Sequence, residues 1–127
     1  MASGSTAWGA TNWTVRLAAS SAGEAKAQAL PSAPTPTSAC ASPTSGKKVT
    51  VTWSAVTHAT GYGVYQSTTS ATGTYTLQTT VTTTTWTSAA LASGNYWYEI
   101  VANIGSNWAS ARSAATAQRT ISSSACS

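Results

Sequence analysis

Polar and apolar residues alternate along most of this chain, and no long helical pattern interrupts the alternation. The clearest run is Gly94 to Asn103. Tyr96, Tyr98, Ile100 and Ala102 fall on one side of it; Trp97, Glu99, Val101 and Asn103 fall on the other. A strand sends successive side chains to opposite faces, and aromatic and β-branched residues suit a pleated surface. The run therefore predicts a central strand whose first set lines a core. Residues 11–18 show the same pattern, with Trp13, Val15 and Leu17 against Thr14 and Arg16, and predict a half-buried strand. Residues 24–30 place Ala25, Ala27 and Ala29 on one face. Their helix propensity is high, but Gly23 and Pro31 bracket them too tightly for a stable helix.

Pro31, Pro34 and Pro36 mark a linker-like boundary, since closely spaced prolines favour an extended, semi-rigid chain. Residues 1–33 then read as an N-terminal extension, and residues 34–127 as a domain. Within the domain, seven β candidates lie over 34–42, 47–55, 61–67, 74–81, 84–90, 94–104 and 111–121, separated by turn residues such as the Ser-Gly and Thr-Gly pairs at 45–46, 60–61 and 93–94. Short strands at this spacing predict an all-β sandwich. Val49, Val51 and Trp53 share one face of the second candidate, while the third turns Tyr62 and Val64 inward and Tyr65 outward.

These residues, taken in order, resemble a fibronectin type III domain over about 34–121. Trp53 stands where that family carries a core Trp on its second strand. Ala59-Thr-Gly-Tyr62-Gly-Val64 resembles its third-strand entry, and Leu91, Gly94, Tyr96, Tyr98, Ile100 and Ala102 follow the pattern leading through its sixth strand. The resemblance implies a seven-strand, immunoglobulin-like β-sandwich with Trp53, Tyr62, Val64, Leu91, Tyr96, Tyr98 and Ile100 in its core. It also implies a tyrosine corner at Tyr96, whose hydroxyl bonds nearby backbone. No Arg-Gly-Asp is present. In such a sandwich the first strand ends at the pole where the seventh ends, so Cys40 and Cys126 are within plausible reach of a disulfide; two free thiols or a cross-link between chains are the alternatives.

Composition adds to this picture. Only 6% of the 127 residues are charged, and Ser and Thr make up roughly a third. An ordinary domain is about 25% charged. Solubility rests on hydroxyls and amides, and a weakly charged surface favours self-association. The Ala/Ser/Thr-rich character resembles secreted actinobacterial proteins. The six basic residues are scattered, unlike the clustered stripe of a nucleic-acid binder. No apolar run reaches the roughly 20 residues of a membrane span, and Met1-Ala-Ser-Gly-Ser lacks the features of a signal peptide. Two cysteines fit an oxidising compartment, which predicts a secreted or cell-surface location.

Candidate chemistry is sparse. His58 is the only His, there is no Asp, and Glu24 and Glu99 are the only acids. A Ser-His-Asp arrangement is ruled out without Asp, a Glu in that role would have to be Glu24 or Glu99, and nothing suggests that these two lie close enough for a paired-carboxylate site. One His and two distant cysteines give no metal-ligand spacing, so the expectation is no enzyme activity and no cofactor. Asn12-Trp13-Thr14 matches the N-glycosylation pattern at Asn12, and the Ser/Thr/Pro-rich 31–43 stretch suits O-linked sugar. The outward aromatics carry the functional hint. Tyr65, Trp97 and Val101 are expected on one exposed face with Trp108 in the next loop, and such a face stacks on sugar or binds protein unless the chain covers it. Trp13, Val15 and Leu17 lie on a strand with no partner in the resembled domain. Two readings follow. One is a structural or adhesive subunit of an extracellular, pilus-like assembly, linked by N-terminal strand addition. The other is a carbohydrate- or protein-binding spacer module of a larger secreted enzyme. A virion decoration protein obeys the same physical logic as the first.

Overall fold

A computed structural model describes residues 32–127. The strand expected over 11–18, the 24–30 run and Asn12 lie outside the described residues. Eight strands follow: β1 (Pro36–Cys40), β2 (Val49–Trp53), β3 (Gly61–Ser67), β4 (Thr76–Val81), β5 (Thr85–Thr87), β6 (Gly94–Ile104), β7 (Trp108–Ala109) and β8 (Arg119–Ile121). They form two antiparallel sheets. One has the order β1-β2-β5; the other has the order β4-β3-β6-β7, with β8 also paired to β6. This is the β-sandwich that the alternation predicted, with the third and sixth candidates, 61–67 and 94–104, observed at their expected bounds.

The core lies between the sheets. Val49, Val51 and Trp53 on β2 face Tyr62 and Val64 on β3 and Tyr96, Tyr98, Ile100 and Ala102 on β6, with Ile121 and Cys126 closing one end and Leu91 packed against the margin. Trp53 meets Tyr62 edge-on at 5.5 Å between ring centroids, and Trp86 tilts against Tyr98 at 5.9 Å. Such offset aromatic contacts suit the ring quadrupoles. The buried phenols are satisfied: Tyr62 Oη accepts from the Val56 N–H at 2.9 Å, and Tyr98 Oη donates to Gln66 Oε1 at 2.9 Å. Tyr96 Oη donates to the Ala92 carbonyl at 2.8 Å, which ties the entrance of β6 to the preceding loop as a tyrosine corner does. On the outer face of the β1-β2-β5 sheet, Thr50 and Thr87 bond across strands at 2.8 Å, so hydroxyls rather than charges solvate that surface.

The seventh candidate departs from expectation. Only 119–121 of the predicted 111–121 is a strand. Residues 110–116 still bind β6, by another rule. The N–H groups of Ser110, Ser113 and Thr116 donate to the carbonyls of Ala102, Ile100 and Tyr98. The Oγ atoms of Ser110 and Ser113 and the Oγ1 of Thr116 then accept from the N–H groups of the same three β6 residues at 2.9, 2.9 and 3.2 Å. A hydroxyl thus replaces the carbonyl that a regular strand would offer, and the segment advances three residues for every two of β6. The period in the sequence is three, Ser-Ala-Arg, Ser-Ala-Ala, Thr-Ala-Gln, which is why strand periodicity breaks there. The fifth candidate, 84–90, shortens to 85–87 for the same reason. Ser88 donates its N–H to the Val49 carbonyl and accepts the Val49 N–H on Oγ, and Leu91, three residues later, donates to Lys47, two residues earlier.

Beyond β8 the chain turns at Ser122–Ala125 and runs back beside it, with Thr120 and Ser127 exchanging backbone hydrogen bonds. That return sets Cys126 in a disulfide with Cys40 at the end of β1, with the Cα atoms 5.7 Å apart. The closed loop spans 86 residues of sequence separation. In the chain-entropy account, a loop of that length stabilises the fold by about 4–5 kcal/mol.

Candidate interaction surface

The outer face of the β4-β3-β6 sheet holds most of the residues expected to make contacts. Cross-strand register sets Tyr65 opposite Glu99, Gly63 opposite Val101 and Ser67 opposite Trp97. Directly opposed side chains in an antiparallel pair share a face, so Tyr65 and Trp97 stand on the same surface, both half-buried. Gly63 makes room for Tyr65. A Cβ at position 63 would lie 3.2 Å from the Tyr65 ring and 3.4 Å from Leu77 Cδ1, so the ring leans over a residue that has no side chain.

Arg112 completes the cluster. Its neighbours Ser110 and Ser113 bond to Ala102 and Ile100, which fixes its backbone along β6 beside Val101. Its guanidinium carbon nevertheless lies 4.5 Å from the Tyr65 ring centroid on β3 and 5.8 Å from that of Tyr75. The side chain must therefore cross the outer face of β6. On the way its Nη1 meets Glu99 Oε1 at 3.5 Å, the ion pair of this surface. A partly exposed pair of this kind contributes about 0.2–1 kcal/mol, and the cation–π contact a similar amount. Burial raises the Tyr75 pKa above its ordinary value, the Glu99 charge adds to that, and Arg112 opposes it.

This arrangement corrects two expectations. Val101, placed outward among the contact residues, is only 9% exposed. It does point away from the core, but the crossing Arg112 stem and the Tyr65 ring turned over Gly63 cover it. Trp108 is 62% exposed, yet it does not join Tyr65 and Trp97. It sits in β7 opposite Ile104, whose place in the alternation is that of Ile100 and Ala102, so it lies on the other side of the sheet at one pole. Leu77 on β4, 53% exposed, lies opposite Tyr65 on that face instead. Arg112 and Tyr75 escaped sequence reasoning. Arg112 lies in the period-three segment, where parity assigns no face, and Tyr75 fell within the strand expected over 74–81 but precedes β4, which begins at Thr76.

His58 is exposed in the loop before β3. Among the described residues no group of three or more His, Cys, Asp or Glu is placed to hold a metal ion, and no helix is long and apolar enough to cross a membrane.

Two facing antiparallel sheets, a Trp-Tyr core and a tyrosine corner define an immunoglobulin-like sandwich. The comparison with solved structures gives the family. A fibronectin type III-like protein from Clostridium thermocellum is 30% identical, with a TM-score of 0.61 over 69% of this chain and 91% of that one. The chain belongs to the fibronectin type III family. The same fold recurs in a multidomain segment of titin (18% identity, TM-score 0.60, 72% of this chain and 32% of that one) and in a mutant of FN3tt (18%, 0.56, 72% and 97%). No family model matches the sequence, and no curated protein matches it. Domains of this family are generally non-catalytic structural or spacer modules.

Proposed function

We propose that the chain is a non-catalytic extracellular structural or adhesive module, a subunit of a surface assembly joined through its N-terminal extension, residues 1–33, with residues 34–127 as the domain. The inequality of the sandwich's two sides carries this reading. On one side the hydroxyl-bonded segment 110–116 seals β6, and β1 is tied to the continuation of that segment by Ser38 Oγ donating to the Ala117 carbonyl at 3.0 Å and by Arg119 Nε donating to Ser38 Oγ at 3.2 Å. On the other side, among the described residues, β4 and β5 end their sheets. From Val49 to Tyr98 the sequence carries no Asp, Glu, Lys or Arg to repel a second molecule there. The Cys40–Cys126 disulfide suits an extracellular setting.

The test is molar mass by light scattering across concentration, with negative-stain images. The full chain is expected to form species far above 12.8 kDa. A chain lacking residues 1–18, which keeps every described core residue, is expected to stay monomeric; assembly that survives this deletion refutes the reading.

Trp97 supports a second reading, a sugar-binding or spacer module, because it stays half-exposed on the face where Arg112 already covers Tyr65. Trp97→Ala is then expected to abolish retention on an insoluble glycan, and unchanged retention removes the idea.

A further inference from the structure

We propose that the free edge of β4 is the acceptor for residues 11–18 of a second copy of this chain, which add to it as an extra antiparallel or parallel strand. This rests on the assembly reading above and gives it a site.

Of the sandwich's edges, β4 is the best suited. An edge strand presents unpaired N–H and C=O groups, and proteins usually blunt such edges with charge, proline or cover. Thr76-Leu-Gln-Thr-Thr-Val has neither charge nor proline, and among the described residues it pairs with β3 alone. The bulge opposite Val64 and Tyr65 interrupts its near end, and the register that turns the backbone of Thr79 and Val81 toward β3 leaves the Thr80 N–H and carbonyl facing outward. The other candidate, β5, is half as long, and Thr83 Oγ1 already donates to its Thr85 carbonyl. The period-three segment 110–116 offers no regular ladder to a newcomer.

Side chains indicate the occupant. Among the described residues Leu77 is one of two large apolar residues left mostly exposed, and it stands on β4 beside Tyr65. A strand added at this edge would place every second residue on the same face as Leu77. Residues 11–18, which lie outside the described residues, alternate Trp13, Val15 and Leu17 with Thr14 and Arg16. Their apolar set would cover Leu77 while the polar set faced the other way.

The geometry favours a neighbour over the same molecule. The described chain enters the sandwich at β1, on the sealed side, and β4 lies on the opposite side. Residues 19–35 span up to about 55 Å when extended, and Pro31, Pro34 and Pro36 resist wrapping around the domain. Donor and acceptor on opposite sides make a head-to-tail contact, which propagates unless the rotation closes a ring.

Two full-chain variants test this. Leu77→Lys places a charge at the acceptor and leaves the donor intact; Val15→Lys does the reverse. Each alone is expected to raise the concentration needed for assembly at least about tenfold, equal to about 1.4 kcal/mol per contact. Thermal melts check that Leu77→Lys folds, and Thr80→Pro, which removes an edge N–H donor, serves as a second acceptor variant. Mixed one to one, Leu77→Lys and Val15→Lys are expected to give a dimer of twice 12.8 kDa and no longer chains, because one good donor meets one good acceptor. A mixture that stays monomeric overturns the exchange between molecules. If Leu77→Lys and Thr80→Pro still assemble like the parent while Val15→Lys does not, β4 is the wrong acceptor and the assembly reading stands. If all of them assemble like the parent, residues 11–18 are not the donor and joining through the N-terminal extension falls; a parent that stays at 12.8 kDa at every concentration removes the assembly reading itself.

Discussion

Strand β6 is held differently along its two edges. Toward β3 it makes an ordinary antiparallel ladder from Gly61–Asn103 to Ser67–Trp97, with a partner residue for each of its own. Toward the C-terminal segment its amides at Tyr98, Ile100 and Ala102 donate to side-chain hydroxyls, three partner residues for two of its own. Both edges satisfy a buried backbone, which folding demands. They differ in what they offer the outside. A ladder strand has a second edge like its first, able to recruit another strand. The hydroxyl-bonded segment has spent its side chains on β6 and repeats at the wrong interval to be extended. One sandwich side is thereby closed by chemistry rather than by charge, in a chain that has little charge to use.

The largest expected effect comes from the anchor at the end of the closed side. Cys126 lies just past that segment, so replacing Cys40 and Cys126 with Ser is expected to cost about 4–5 kcal/mol in chemical denaturation. Amide exchange is expected to rise over 110–121 more than in the β3 ladder. Equal loosening of both edges would mean that the disulfide does not favour the hydroxyl-bonded one.

Ser113→Ala breaks the comparison more selectively. It leaves the Ile100 N–H buried without an acceptor, at about 1–3 kcal/mol. Ser113→Thr keeps the hydroxyl and is expected to recover most of the loss; if it does not, packing rather than the hydroxyl bond is responsible. Ser88→Ala repeats the test at the Val49 N–H, where one hydroxyl bond instead of three serves the edge.

Alkaline pH probes the core between the two edges. Burial, with a smaller contribution from Tyr96, pushes the Tyr98 phenol far above its ordinary range. The folded protein therefore holds a proton that the unfolded chain releases near pH 10. Stability is unaffected below that pH and falls above it, by about 1.4 kcal/mol per pH unit while only the unfolded form ionises. Tyr98→Phe is expected to flatten that slope in melts taken between pH 9 and 12; an unchanged slope assigns the effect to another group.

The smallest effect belongs to the strap across β6. Arg112→Ala removes the Tyr65 contact and the Glu99 pair and is expected to cost about 0.5–1 kcal/mol. It should also uncover Val101, raising binding of an apolar dye without weakening the β3 ladder.

Period two is a local property, and it located the sandwich. Val49, Val51 and Trp53, Tyr62 and Val64, and Tyr96, Tyr98 and Ile100 face the core because alternate residues of a strand have nowhere else to go. Period three was equally present in Ser110, Ser113 and Thr116, but a hydroxyl every third residue has no meaning until a strand edge lies beside it to be bonded. The same holds for the surface. The outward parity of Tyr65 and Trp97 could be read from the chain, whereas the covering of Val101 and the exclusion of Trp108 depended on Arg112 crossing a neighbouring strand and on a hairpin register. Alternation sets which way a side chain points; only the packed neighbours settle what it meets there.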